Sequence, residues 1–273
     1  MIVNFRLSKS SYLVFFLFSF AIPWVAWSYM AFTGFNLYLF YTGYSCSLSG
    51  LIGVYLFKGR EGVGAIFKGM VAKAPVSAWL LVLFVPFIWQ FLSYLFYGLL
   101  LNDSGIGEVR VSNFTNLFSF HILWLLTTGP LAEEFGWRGY LFPRFLAKYK
   151  FFTANVFLGV IWALWHLPIM YGKWFSEPVS MLYFFVGVIC FAMIIGLIYI
   201  ISDGNLLLCI VAHWTINASQ EMMGSLFPAI DPMHSAFPIF SVVMLLVITL
   251  WLYYFYRKEI AMANEVTLIY RMR

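Results

Sequence analysis

Apolar runs of about twenty residues, separated by short polar or glycine- and proline-bearing breaks, repeat along nearly the whole chain. Read against those breaks, they predict spans near 11–32, 36–57, 76–101, 117–142, 153–172, 179–201, 204–224 and 237–256. Each is long enough for a helix rising ~1.5 Å per residue to cross a hydrocarbon core about 30 Å thick. The runs are continuous rather than alternating, which argues against a closed β-barrel. The expected fold is therefore an all-α, polytopic transmembrane helix bundle of about eight spans. Two stretches fall outside this pattern. The 58–75 connection (KGREGVGAIFKGMVAKAP) mixes lysines with Ile66, Phe67 and Met70, and 143–152 (PRFLAKYKFF) is basic and aromatic. Both have the character of segments lying at a membrane surface.

Composition sharpens the picture. The 273 residues are 63% hydrophobic and only 10% charged, where a soluble domain carries about 25% charged residues. Eight spans with short loops leave no room for a soluble domain, so 1–273 reads as one integral membrane domain. The net charge of +5 is no sign of nucleic acid, because the basic residues flank apolar runs as orientation signals do. With eight spans and both termini cytoplasmic, thirteen basic residues fall inside, from Arg6 and Lys9 through Arg144 to Arg271 and Arg273. Only Arg110 and Lys173 fall outside. The first apolar run lacks a small-residue cleavage site and reads as a retained span. Cys46, Cys190 and Cys209 lie unpaired in apolar stretches and read as small buried hydrophobes.

Against this background a few polar residues need explaining. The fourth span contains LAEEFGWRGYLF, with adjacent Glu133 and Glu134 and with Arg138 one turn beyond Glu134. An ionised side chain at mid-membrane costs at least ~3 kcal/mol. A self-neutralising Glu134–Arg138 pair accounts for two of these charges and leaves Glu133 unexplained. The fifth span carries His166 in GVIWALWHLPIM, which by itself reads as a packing histidine. The seventh carries LCIVAHWTINAS, where His213 and Asn217 share a helical face and could alone be interhelical glue. His121 and His234 read as interfacial, and Pro168 and Asp203-Gly204 as punctuation between spans. The sequon Asn113-Phe114-Thr115 carries weight only in a secretory pathway.

Depth connects the three sites. Counted from the inner end of its own span, Glu133 lies about 15 Å deep, His166 about 20 Å and His213 about 14 Å. They agree to about one helical turn, as side chains of one common site would. A carboxylate beside a histidine can take the proton of a water, and a second histidine with an asparagine amide can donate to a developing oxyanion. Hydrolysis by activated water follows, with the site carried by 117–224 and no serine nucleophile required.

The blocks Glu133-Glu134-x-x-x-Arg138, Trp162-x-x-x-His166 and His213-x-x-x-Asn217, in order on separate spans, resemble the CPBP family. That family comprises type II CAAX prenyl endopeptidases and bacteriocin-processing and self-immunity proteins, also called glutamate intramembrane proteases. Its second block usually begins with Phe, so Trp162 is an aromatic departure. The resemblance implies an intramembrane endopeptidase in a bacterial cytoplasmic membrane. In it Glu133 and His166 would activate water, His213 and Asn217 would form the oxyanion site, and Glu134 and Arg138 would support the geometry. It also implies a hydrophobic or lipidated peptide substrate and contact with membrane lipid, with no nucleic-acid partner.

No cofactor is expected. The alternative is zinc held by Glu133, His166 and His213, the ligand types of a catalytic zinc site, although no H-E-x-x-H helix is present. A second class of reading is a non-catalytic membrane protein, either a self-immunity or scaffold protein of the same fold or a proton-coupled transporter, since intramembrane Glu and His also build proton relays. Asn217 discriminates, because a relay has no use for an amide donor one turn from His213.

Overall fold

The computed structural model describes residues 9–101, 109–110, 113, 115, 120–170, 178–230 and 236–271. Arg6, Lys173, His234 and Arg273, the start of the span expected at 117–142 and the end of that expected at 153–172 lie outside them. Every regular element among the described residues is helical. The helices are α1 Lys9–Thr33, α2 Ser45–Met70, α3 Val76–Leu101, α4 Phe120–Thr128, α5 Pro130–Gly136, α6 Phe142–Leu146, α7 Phe151–Trp165, α8 Pro178–Ile201, α9 Leu206–Leu226, α10 Phe237–Phe255 and α11 Arg257–Arg271.

Four helical segments are long and apolar enough to cross a membrane: Tyr12–Thr33, Val76–Leu101, Val179–Ile201 and Phe237–Phe255. The other four expected spans each depart from a straight apolar helix for a local reason. The 36–57 region opens with a helical turn, Leu37–Phe40, and a 3₁₀ turn before α2 starts at Ser45. α2 then runs on through the expected surface segment, across a kink at Gly59. There φ is +63°, a left-handed value that a side chain would strain. The 117–142 region breaks between α4 and α5 at Gly129-Pro130, since proline supplies no N–H and suits the first turn of a new helix. α7 stops at Trp165, three residues before the helix-breaking Pro168, and His166 caps it. A further helical turn covers 167–170.

α9 is long enough to span but polar, and its position explains why. It packs against α2, α3, α4, α5 and α8, and His213, Thr215 and Ser219 on it are buried. A helix enclosed by protein need present no apolar face to lipid, so it can carry side chains that an outer helix cannot. α10, at the rim, instead exposes Val243, Val247, Leu250 and Trp251. α9 begins where the sequence is punctuated. Asp203 and Gly204 both have positive φ, and the Asn205 carboxamide then accepts from the Leu208 N–H and donates to the Ala72 carbonyl.

Candidate active site

The site is assembled on α5, and α2 holds that helix in place. Small residues let the two backbones touch: a Cβ added to Gly50 would stand 2.7 Å from the Phe135 carbonyl oxygen, and one on Gly136 would collide with Cys46. Ser47 Oγ donates to the Leu131 carbonyl at 2.9 Å, and the Cys46 thiol to the Glu133 carbonyl at 3.7 Å. The Cys46-Ser47-x-x-Gly50 stretch, which carries no nucleophile motif, therefore acts as packing surface. All three cysteines are free and buried, as expected. After Gly136 the helix widens into one π turn, Trp137–Leu141, a device often found beside functional residues.

The two carboxylates part company here. Glu134 is fully buried, and its Oε1 accepts from Arg138 Nη1 at 2.7 Å and from His213 Nδ1 at 2.8 Å. The guanidinium of Arg138, equally buried, lies 4.5 Å from the Trp162 ring centroid. Among the described residues Glu133 has no cationic partner of this kind. Its Oε2 accepts from two indoles, Trp137 Nε1 at 3.1 Å and Trp162 Nε1. Its Oε1 turns toward Gly129, where a Cβ, if present, would be 3.6 Å away. The same point is 3.4 Å from His213 Nε2 and 3.1 Å from Asn217 Nδ2. Three of the residues singled out from sequence thus converge on one small space, which exists because residue 129 has no side chain.

His166 stands at the end of α7 with Nδ1 2.9 Å from the Trp162 carbonyl oxygen. A carbonyl only accepts, so Nδ1 carries the hydrogen and Nε2 is left as the ring's acceptor. Trp165, Phe184 and Trp27 surround the ring. Among the described residues no group of three His, Cys, Asp or Glu side chains is arranged to hold a metal ion. His121, half exposed, pairs with Glu221 of α9 at 3.5 Å and takes no part in the site.

Sequence reasoning missed two contributors. Gly129 had a signal, a Gly-Pro pair inside an apolar run, which marks a break but not what the break exposes. Trp162 was legible as an aromatic replacement, but that its N–H reaches Glu133 depends on a contact across 29 positions.

Comparison with known proteins bears on this same region. Residues 115–219 match the family described as type II CAAX prenyl endopeptidase Rce1-like. The likeness is confined to this core, which carries the site residues. It is 30% identical over 129 residues to a CAAX prenyl protease 2 of Methanococcus maripaludis, covering 43% of this chain and 48% of that protein. The match spans about half the length of that relative. The matched region contains Gly129 and both tryptophans as well as the three sequence blocks.

Proposed function

We propose that this chain is an intramembrane endopeptidase, hydrolysing a peptide bond of a membrane-associated or lipidated peptide with a water activated by Glu133 and His166. The observation that carries this reading is the convergence of Glu133 Oε1, His213 Nε2 and Asn217 Nδ2 on the side-chain-free face of Gly129. An acceptor that takes a proton and groups that steady an oxyanion stand around one space, the requirement for attack by water on a carbonyl. The likeness of 115–219 to type II CAAX prenyl endopeptidases, and of 129 residues to a CAAX prenyl protease 2, supports the same class of chemistry.

The roles follow from hydrogen-bond chemistry. Water placed between Glu133 Oε1 and the acceptor Nε2 of His166 gives up a proton to Glu133 as its oxygen attacks the scissile carbonyl carbon. The carbonyl oxygen becomes an oxyanion, which accepts from Asn217 Nδ2. His213 differs from His166 in its partner: Nδ1 faces a carboxylate, not a carbonyl. Donation from its Nε2 requires the doubly protonated ring, and Glu134 is placed to balance that charge. The C–N bond then breaks, the proton held by Glu133 passes to the leaving amine, and a carboxylate and a free amine are released. No cofactor enters these steps. The fold in this proposal is an eight-span bundle in the cytoplasmic membrane with both termini inside, the arrangement that the thirteen-to-two distribution of basic residues favours. Its partners are membrane lipid and a hydrophobic peptide, of which a prenylated C-terminus is one example.

The test is turnover of membrane-inserted peptides, prenylated and not, by the full chain in liposomes, with Glu133→Gln as the control. Cleavage by wild type and none by the variant supports the proposal. Absence of cleavage across both peptide sets puts the self-immunity, scaffold or transporter reading first.

A further inference from the structure

A glutamate that is to act as a base at one oxygen must be kept from swapping its two oxygens. The last torsion of a glutamate side chain is broad and nearly two-fold, so packing alone fixes it poorly. At Glu133 both indole N–H groups bind the same oxygen, Oε2, one from the following turn of its own helix and one from α7. Two donors arriving from different helices define a plane as well as a direction. They leave Oε1 as the oxygen that faces Gly129, His213 and Asn217.

We propose that Trp162, assisted by Trp137, is a positioning residue that locks the Glu133 carboxylate with Oε1 toward the water. This deepens the endopeptidase reading and rests on it. Trp162 is suited to the task because its other contacts touch every part of the site. Its carbonyl sets the tautomer of His166, its ring carries the Arg138 guanidinium on one face, and the ring meets His213 edge-on at 5.1 Å. A phenylalanine at 162 could keep the ring contacts with Arg138 and His213 but has no N–H for Glu133. The tryptophan is therefore a functional substitution for the phenylalanine usual in this block, not a neutral one. A consequence is that the clamp acts on kcat rather than on substrate binding, since neither indole N–H is free to meet the peptide.

The experiment replaces Trp162 by phenylalanine and, separately, by 3-benzothienylalanine, which keeps the bicyclic shape and exchanges the N–H for sulfur. Both should lower kcat on the order of ten- to hundredfold, the cost of a misaligned reacting group, with KM within about twofold of wild type. Trp137→Phe should do the same more weakly, because Trp162 still holds the oxygen. A second readout needs no turnover: the infrared difference between wild type and Glu133→Gln isolates the Glu133 carboxylate band, which should move in the benzothienyl variant. A benzothienyl variant with wild-type kcat and an unmoved band overturns the proposal and reduces Trp162 to packing. A rise in kcat also overturns it, showing that the donors restrain proton uptake rather than aim it. A band that moves in a protein cleaving no peptide overturns the proposed function and leaves the clamp standing.

Discussion

Glu134 faces Arg138 on one side and His213 on the other, whereas Glu133 looks the opposite way, into neutral indole N–H groups and the side-chain-free face of Gly129. The two residues are adjacent and chemically identical. Only their surroundings assign them different work. A carboxylate that already accepts from an arginine and a histidine is poorly suited to take a proton from water, but it orients both of them. A carboxylate held by neutral donors at one oxygen keeps the other oxygen for chemistry. In the proposed mechanism buried charge serves geometry at Glu134 and reaction at Glu133.

The largest expected effect breaks the comparison outright if it is wrong. Glu133→Gln should lower turnover on the order of 10²–10⁴-fold, the range for a general base, while the thermal unfolding midpoint stays near wild type. Glu134→Gln and Arg138→Met should instead lose stability, about 3–5 kcal/mol for a buried pair left with one partner. Equal destabilisation by all three would erase the distinction between the two carboxylates.

Asn217 sharpens the open side. Asn217→Ala should lower kcat on the order of 10²–10³-fold with a much smaller change in KM, the signature of a donor needed chiefly in the transition state. Asn217→Asp should be at least as damaging, because an ionised carboxylate repels the oxyanion. Wild-type kinetics in Asn217→Ala would remove the oxyanion role.

Gly129→Ala probes the space itself. Its backbone φ of −126° is open to alanine, but the new Cβ would stand 3.1 Å from Asn217 Nδ2 and fill the face shared by the three side chains. Turnover should fall on the order of tenfold or more, with stability nearly unchanged. A fully active Gly129→Ala would place the reacting carbonyl elsewhere.

The smallest effect expected is that of metal removal. Active protein should hold well under one zinc per chain by elemental analysis, and chelation should leave turnover unchanged. Stoichiometric zinc lost with activity and restored with it would replace the metal-free mechanism with one built on Glu133, His166 and His213.

Much of this was readable in the order of residues. Helical character, the membrane solvent and the charge bias are properties of short windows, so hydropathy and the placement of lysines and arginines suffice to reveal them. Depth was readable too, because a helix converts sequence distance into height at a constant rise, and that brought Glu133, His166 and His213 to one level. The facing of each side chain was not readable. The i, i+4 spacing already paired Glu134 with Arg138, but that His213 joins that pair is set by how α5 lies against α2 and α9. That packing depends on glycines and small residues that carry no chemical signal of their own. The break at Gly129, the π turn after Gly136 and the indole of Trp162 on a carboxylate 29 residues away are decided only when the helices pack. A hydrogen bond is directional and short, and no periodicity along one chain segment encodes the position of a partner on another.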